Sequence, residues 1–174
     1  MTVPEGTRAH RDDAKRFAHL RAAVLTVSDS RTAGTDESGK LIRTALLGSG
    51  HEVLAHTLLP NDEVRVRAQV VEWIARADLD LIVVTGGTGL GSRDRSIEAV
   101  RPLLEKEIPG FGELFRMLSF QEQVGTAAIL SRAAAGSANG KFIALLPGSR
   151  AAVELAMTRI ILPEAGHAIR EIRR

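Results

Sequence analysis

Apolar residues recur along this chain in two rhythms. Unbroken runs at Ala22-Ala23-Val24-Leu25, Leu81-Ile82-Val83-Val84 and Phe142 to Leu146 have the pattern of strands covered on both faces, as in a parallel sheet between helices. A further strand, Glu52 to Leu59, stops at Pro60. Between the runs the period lengthens to that of a helix. Thr35, Asp36 and Ser38 offer caps for a helix with Leu41, Ile42, Ala45 and Leu46 on one stripe, ended by Gly48-Ser49-Gly50. Asn61 or Asp62 caps a second, with Val66, Val70, Val71 and Ile74 on one face. Beyond the Leu81 strand the pattern predicts a helix from Ser96 to about Glu105. A stripe of Phe111, Leu114, Phe115 and Leu118 follows, widened by Met117 and Phe120, then a turn over Gly136 to Gly140 and a strand from Lys141 to Leu146. Amphipathic helices over Ala151 to Ile161 and Pro163 to Ile172 close the chain.

Strand, helix, strand, helix, strand with right-handed crossovers places the first and third strands side by side. Ligands in such sheets bind outside the carboxyl ends of the strands, where the strand order reverses. The loop after the first strand, Ser28-Asp29-Ser30-Arg31, and the loop Thr85 to Asp94 after the third therefore face one crevice. In the latter, Gly86, Gly87 and Gly89 let several backbone N–H groups turn toward one anion, and Thr85 and Thr88 add hydroxyls. No Gly-Lys-Ser/Thr follows, and the spacing differs from the dinucleotide fingerprint. Pro147-Gly148-Ser149-Arg150 is a second compact strand exit. Ser28 to Ser30 also suits an ordinary Asx or Ser turn, and Asp62 an ordinary helix cap, so both alternatives stand beside the functional ones.

Composition narrows the classes. The 174 residues make one domain with room for a substantial core. Residues 1 to 20 lack a sustained apolar period and are expected to be a flexible arm, with the folded domain over 21 to 174. Cysteine is absent, which excludes a disulfide framework, a thiolate metal site and a cysteine nucleophile. No apolar run approaches the roughly 20 residues needed to span a bilayer, and the N-terminus lacks a signal-peptide segment, so a cytoplasmic protein without a membrane role is expected. Of the 23 basic and 21 acidic residues, five and three fall in residues 1 to 21, leaving 18 of each. A neutral body with no tyrosine and one tryptophan argues against nucleic-acid binding. His51, His56 and His167 are too scattered in sequence to suggest a metal site.

Six motifs in order resemble the MoaB/Mog family of molybdenum cofactor biosynthesis. They are TVSDSR at Thr26 to Arg31, DESG at Asp36 to Gly39, TGGTG at Thr85 to Gly89, PGFGELFRMLSF at Pro109 to Phe120, AAILSRAAAG at Ala127 to Gly136 and LPGS at Leu146 to Ser149. The resemblance covers Ala22 to Ala168 and is nearer to the MoaB branch. It implies a three-layer α/β molybdopterin-binding fold with a mostly parallel sheet and helices on both faces. It also implies adenylyl transfer from Mg-ATP to the phosphate of molybdopterin, and, as the alternative, a non-catalytic molybdopterin-binding or scaffolding role. Carried over by position, Gly86, Gly87, Thr88 and Gly89 belong to the phosphate and nucleotide region; Thr85, Ser28 and Asp29 join the binding candidates from the two strand exits themselves. Asp94 matches a catalytic acid and magnesium ligand, and Ser131, Arg132, Gly148 and Ser149 the pterin or phosphate neighbourhood. One family acid is missing: Asn61 follows Pro60, and the nearest carboxylate is Asp62, taken as a second catalytic candidate. The Phe111 to Phe120 stripe is more apolar than a covering helix requires and is expected to be an interface, with Phe115 as its probe; the family resemblance implies trimers or hexamers. Other proteins of cofactor biosynthesis are the implied partners.

Overall fold

The computed structural model describes residues 19–174. Most of the expected arm, residues 1–18, lies outside the described residues. Its last residue, Leu20, is buried, and its carbonyl accepts from Glu52 N–H at 2.8 Å.

Strands β1 (Arg21–Val27), β2 (Glu52–Leu59), β3 (Leu81–Thr85), β4 (Lys106–Glu107), β5 (Ala134–Ala138) and β6 (Lys141–Leu146) form one sheet in the order β2-β1-β3-β6-β5-β4. The first four in that order run parallel, with Thr26 opposite Thr85 and Thr85 opposite Leu146. β1 and β3 are neighbours, as the crossover argument requires. Helices α1 (Glu37–Gly48), α4 (Pro109–Ser119), α5 (Arg150–Ala156) and α6 (Leu162–Ile172) cover one face, and α2 (Glu63–Ala75) and α3 (Ser96–Val100) the other.

Strand alternation divides the core. Ala22 and Val24 of β1, Leu81 and Val83 of β3, and Phe142 and Ala144 of β6 pack under Ile42, Phe115, Val153 and Ile169. Their neighbours Ala23, Leu25, Ile82, Val84, Ile143 and Leu145 face Val66, Val70 and the only tryptophan, Trp73. Two buried faces explain why the sequence shows continuous apolar runs there rather than alternation.

Three expectations are corrected. The helix from Ser96 ends at Val100 and passes into a 3₁₀ turn, Arg101–Leu103. Pro102 has no N–H to continue the ladder. The turn over Gly136 to Gly140 shrinks to Asn139-Gly140, with φ of 46° and 73°, a two-residue hairpin joining β5 antiparallel to β6. Gly136 and Ser137 are strand residues, and a Cβ at Gly136 would meet the Lys106 carbonyl of β4. The last two helices form one helical path through a π-helical turn at Met157–Ile161, just ahead of Pro163.

Asp80, buried at the amino end of the sheet, accepts from Arg21 Nε at 3.1 Å and Arg173 Nη2 at 2.7 Å, tying the last helix to β1 and β3. Burial pushes its carboxyl up, but the Arg21 and Arg173 donations outweigh that and hold it below the usual range. This end of the sheet is closed by structural ion pairs; the open cleft is at the other.

Candidate functional site

At the carboxyl ends of β1, β3 and β6 lies a cleft of about 640 Å³. β3 leaves the sheet through Gly86 and Gly87, at φ of 90° and 62°, where only glycine is unstrained. Gly86 N–H still bonds to Leu146 O at 3.0 Å, so the exit turn is an extension of the β3–β6 ladder. Three hydroxyls then fasten the loops to one another. Ser96 Oγ donates to Gly86 O at 2.7 Å, Thr85 Oγ1 to Pro147 O at 3.0 Å and Ser38 Oγ to Gly148 O at 2.8 Å. Gly148 lies so near Gly86 that an added Cβ would stand 3.1 Å from the Gly86 Cα. The β3 and β6 exits thus form one rigid wall of backbone.

The opposite wall is the β1 exit. Ser28 Oγ accepts from Ser30 N–H at 3.3 Å and Arg31 N–H at 3.2 Å, the Ser turn that the sequence allowed, while still lining the cleft. Asp29 Oδ1 accepts from Asn61 N–H at 2.8 Å. Donations from the backbone and then the side chain of Asn61 hold the Asp29 carboxyl below the usual range. Phe115, Ala128 and Ala152 supply apolar lining between the walls. A polar end with backbone donors beside an apolar surface suits an anionic ligand that carries a flat ring system.

Ser28, Asp29, Thr85, Gly86, Gly87, Thr88, Gly89, Asp94, Ser131, Gly148 and Ser149 all line this cleft. Asp94 Oδ2 accepts from Gly91 N–H at 3.0 Å, and a Cβ at Gly89 or Gly91 would crowd that oxygen. Two expected site residues stand elsewhere. Asp62 does not line the cleft: it caps α2, accepting from Arg65 N–H at 3.0 Å, which is the alternative raised by the sequence. Arg132 stands behind the Thr88 to Asp94 loop. Its Nε donates to Thr88 O at 3.0 Å, its Nη2 to Asp94 O at 3.2 Å and its Nη1 to Glu98 Oε1 at 2.5 Å. The last contact holds the Glu98 carboxyl below its usual range. Arg132 therefore shapes the loop from outside the cleft.

Other lining residues escaped the sequence argument. Asp36 and Ser38, read as caps, both face the cleft, and Asp36 does cap α1, through Gly39 N–H at 2.9 Å. Its second oxygen accepts from Thr26 Oγ1 at 2.8 Å and pairs with His56 Nε2 at 2.9 Å. Gly39 in the first turn of a helix was the available signal, since glycine there weakens the helix unless something approaches closely. A Cβ at Gly39 would collide with Asp36 Oδ2, His56 Nε2 and Thr26 Oγ1. Arg31 and Arg93, from the two loops expected to face the crevice, line the cleft as well, together with Asn61. Among the described residues no group of three His, Cys, Asp or Glu side chains is placed to hold a metal, and no helix is long and apolar enough to cross a membrane. The carboxylates available to a cation in the cleft are Asp29 and Asp94, alongside the Asp36 pair with His56. One or two carboxylates, with substrate phosphates completing the shell, is the usual protein share of a magnesium site.

Known proteins agree with this architecture. The family model described as "Probable molybdopterin binding domain" matches residues 23–167. The Molybdenum cofactor biosynthesis protein B of Halalkalibacterium halodurans is 52% identical over 163 residues, 94% of this chain and 95% of that protein. A crystal structure of a Molybdenum cofactor biosynthesis protein B superposes with a TM-score of 0.87 at 44% identity, covering 90% of this chain and 97% of the other. The tungsten cofactor synthesizing protein MoaB of Pyrococcus furiosus superposes with a TM-score of 0.80 at 36% identity, over 90% and 98% of the two chains. The family match runs from within β1 through β6 and takes in each strand exit that builds the cleft, and with these relatives it shows that the chain belongs to the MoaB proteins of molybdenum cofactor biosynthesis, with their molybdopterin-binding domain.

Proposed function

We propose that the cleft binds molybdopterin by its terminal phosphate and pterin ring, and that Mg-ATP binds beside it for adenylyl transfer. The observation that supports this reading is the joined wall of Gly86, Gly87, Gly148 and Ser149, whose backbone is pinned by three hydroxyls against an apolar lining. In the reaction a molybdopterin phosphate oxygen attacks the α-phosphorus of ATP. The bond from that phosphorus to the β-phosphate oxygen breaks, and pyrophosphate leaves with the electron pair. Such transfers are accelerated mainly by positioning and charge neutralisation. Magnesium, when bound, would supply the neutralisation, and Asp94 is the carboxylate that would hold it. Asp62 is left as a helix cap.

A specific observation keeps the non-catalytic binding role as the second reading. Asn61 brings a neutral amide to the cleft where the family resemblance expects an acid, and the neighbouring carboxylate is turned to Arg65 N–H. Titrating the full chain with molybdopterin and then adding Mg-ATP separates the two. Adenylylated molybdopterin and pyrophosphate are expected, with Asp94→Ala lowering the rate on the order of 10²-fold while molybdopterin still binds. Asp62→Ala is expected to leave turnover unchanged and to cost about 1 kcal/mol of stability as a lost cap. Molybdopterin binding without pyrophosphate release assigns the binding role instead.

Assembly into trimers or hexamers in the cytoplasm, among other proteins of cofactor biosynthesis, belongs to the same proposal. The sequence stripe splits in the fold: Phe111, Phe115 and Leu118 are buried in the chain's own core, while Leu114, Met117 and Phe120 face outward. Phe115 is 1% exposed and lines the cleft, so it is a poor interface probe. The proposed interface rests on these outward apolar side chains of α4 and the turn that follows it. Light scattering is expected to give a multiple of the 18.7 kDa chain mass, and Phe120→Asp to shift it to monomer with an unchanged far-ultraviolet spectrum. A wild-type monomer at micromolar concentration contradicts the assembly.

A further inference from the structure

Charge in the cleft poses a problem for any phosphate ligand. Asp29, Asp36 and Asp94 line it, against Arg31 and Arg93. Asp36 is committed to Thr26, His56 and Gly39 N–H, and Arg31 Nη1 donates to Thr35 O at 2.9 Å. Nearby Arg95 and Arg132 are committed outside the cleft, to Glu63 and to Glu98 with two backbone carbonyls. Arg93 differs. Its side chain is 83% exposed, and its Nη1 stands 3.7 Å from Asp29 Oδ2, an ion pair longer than a hydrogen bond.

Asp29 is itself fixed. Asn61 N–H donates to Oδ1, leaving Oδ2 toward Arg93. Asn61 is wedged in turn: its Oδ1 is buried without a hydrogen-bond partner, in space that a Cβ on Gly87 would take, 2.5 Å from that oxygen. Asn61 thus spans from the glycine cradle to Asp29, and Asp29 to Arg93. An exposed, single-contact ion pair is weak, so Arg93 can exchange Asp29 for a phosphate, to which its fork of donors is suited.

We propose that Arg93 is the phosphate-recognising side chain of this cleft, with Asp29 and Asn61 as the positioning residues that poise it beside the Gly86-Gly87 cradle. The inference rests on the anion-binding reading of the cleft. Recognition of a phosphate by Arg93 is shared chemistry for the two phosphate sources proposed above, the polyphosphate of a nucleotide and the monoester of molybdopterin.

Calorimetric titration of the full chain with pyrophosphate, ADP and molybdopterin tests it. Arg93→Ala is expected to weaken at least one of the three tenfold or more with an unchanged melting temperature, Arg93→Lys to fall between, and the remote Arg174→Ala to have no effect. Loss confined to pyrophosphate and ADP assigns Arg93 to the nucleotide, and loss confined to molybdopterin assigns it to the pterin phosphate. Asp29→Asn is expected to weaken the same ligand although it removes a negative charge, and to have no further effect in the Arg93→Ala background. If Arg93→Ala changes none of the three, or Asp29→Asn tightens binding, the proposal is overturned. Wild type that binds pyrophosphate through Arg93 but never molybdopterin keeps this inference and sinks the proposed function.

Discussion

Replacing Gly86 by alanine is expected to cost on the order of 4 kcal/mol, which for a chain of this size lowers the melting temperature by roughly 10 °C. Two independent penalties converge there. The φ of 90° is a region that an L-residue with a Cβ enters only under strain. The Cβ would also be driven into the Val27 carbonyl at the end of β1, a backbone atom that cannot swing aside as a side chain would. Relief by moving Gly86 is blocked, because its N–H is bonded to Leu146 O, its C=O to Ser96 Oγ, and Gly148 lies against its Cα. Ligand binding should be lost in whatever fraction stays folded. Gly110→Ala is the internal control: nothing lies within 4 Å of the point its Cβ would occupy, and it sits in the first turn of α4, so it should be neutral or raise stability by up to about 1 kcal/mol. Denaturant unfolding of the two variants measures the contrast, and similar losses would refute the packing argument.

Much of this was legible because the signals were local and redundant. Three of the four parallel strands, β1, β3 and β6, carry unbroken apolar runs, and β1 beside β3 was the arrangement expected of the crossovers. The cleft was legible for the same reason, since the glycines that leave β3 and the Ser-Asp-Ser that leaves β1 must share the carboxyl edge of the sheet. What sequence could not supply was direction. Asn61 and Asp62 are adjacent polar residues before a helix, and only the backbone decides that the amide enters the cleft while the carboxylate turns to Arg65 N–H. Arg132 sits in a family motif yet points away from the cleft, because Glu98 and the carbonyls of Thr88 and Asp94 draw its guanidinium behind the loop. β5 was hidden for a compositional reason. Ala-Ala-Gly-Ser-Ala carries no branched residue to announce a strand, and its small side chains are what let β4 approach Gly136.

The cleft owes its rigidity to contacts between segments far apart in sequence. Ser38, Thr85 and Ser96 each donate to a carbonyl of a strand exit, across 110, 62 and 10 residues. Each hydroxyl satisfies a carbonyl that has left the sheet ladder and would otherwise need water. A cradle fastened in this way presents its N–H groups without reorganising when an anion arrives, which is the preorganisation that anion binding and phosphoryl-type transfer both require.

Asp36→Ala should therefore damage the site through the scaffold as well as at the point of change. The carboxylate is 2% exposed and serves Gly39 N–H, Thr26 Oγ1 and His56 Nε2 at once. Losing the cap costs about 1 kcal/mol, and leaving the two buried side-chain partners unmatched costs on the order of 2 kcal/mol more. His56 keeps part of its exposure, which limits the second figure. Alanine also frees the first turn of α1, and Ser38 in that turn is what holds Gly148 O. Molybdopterin affinity should then fall several-fold even at temperatures where the chain is fully folded. Asp36→Asn separates the contributions, since the asparagine oxygen can cap as the aspartate oxygen does while its NH2 group donates to one of the other two partners. It should recover most of the affinity and about half of the stability in urea unfolding. His56→Ala leaves Asp36 its cap and its Thr26 bond, and should cost about 1 kcal/mol with little change in affinity. Were His56→Ala to abolish binding while Asp36→Asn preserved it, the histidine would be acting on the ligand directly, and the scaffold account of this cluster would fail.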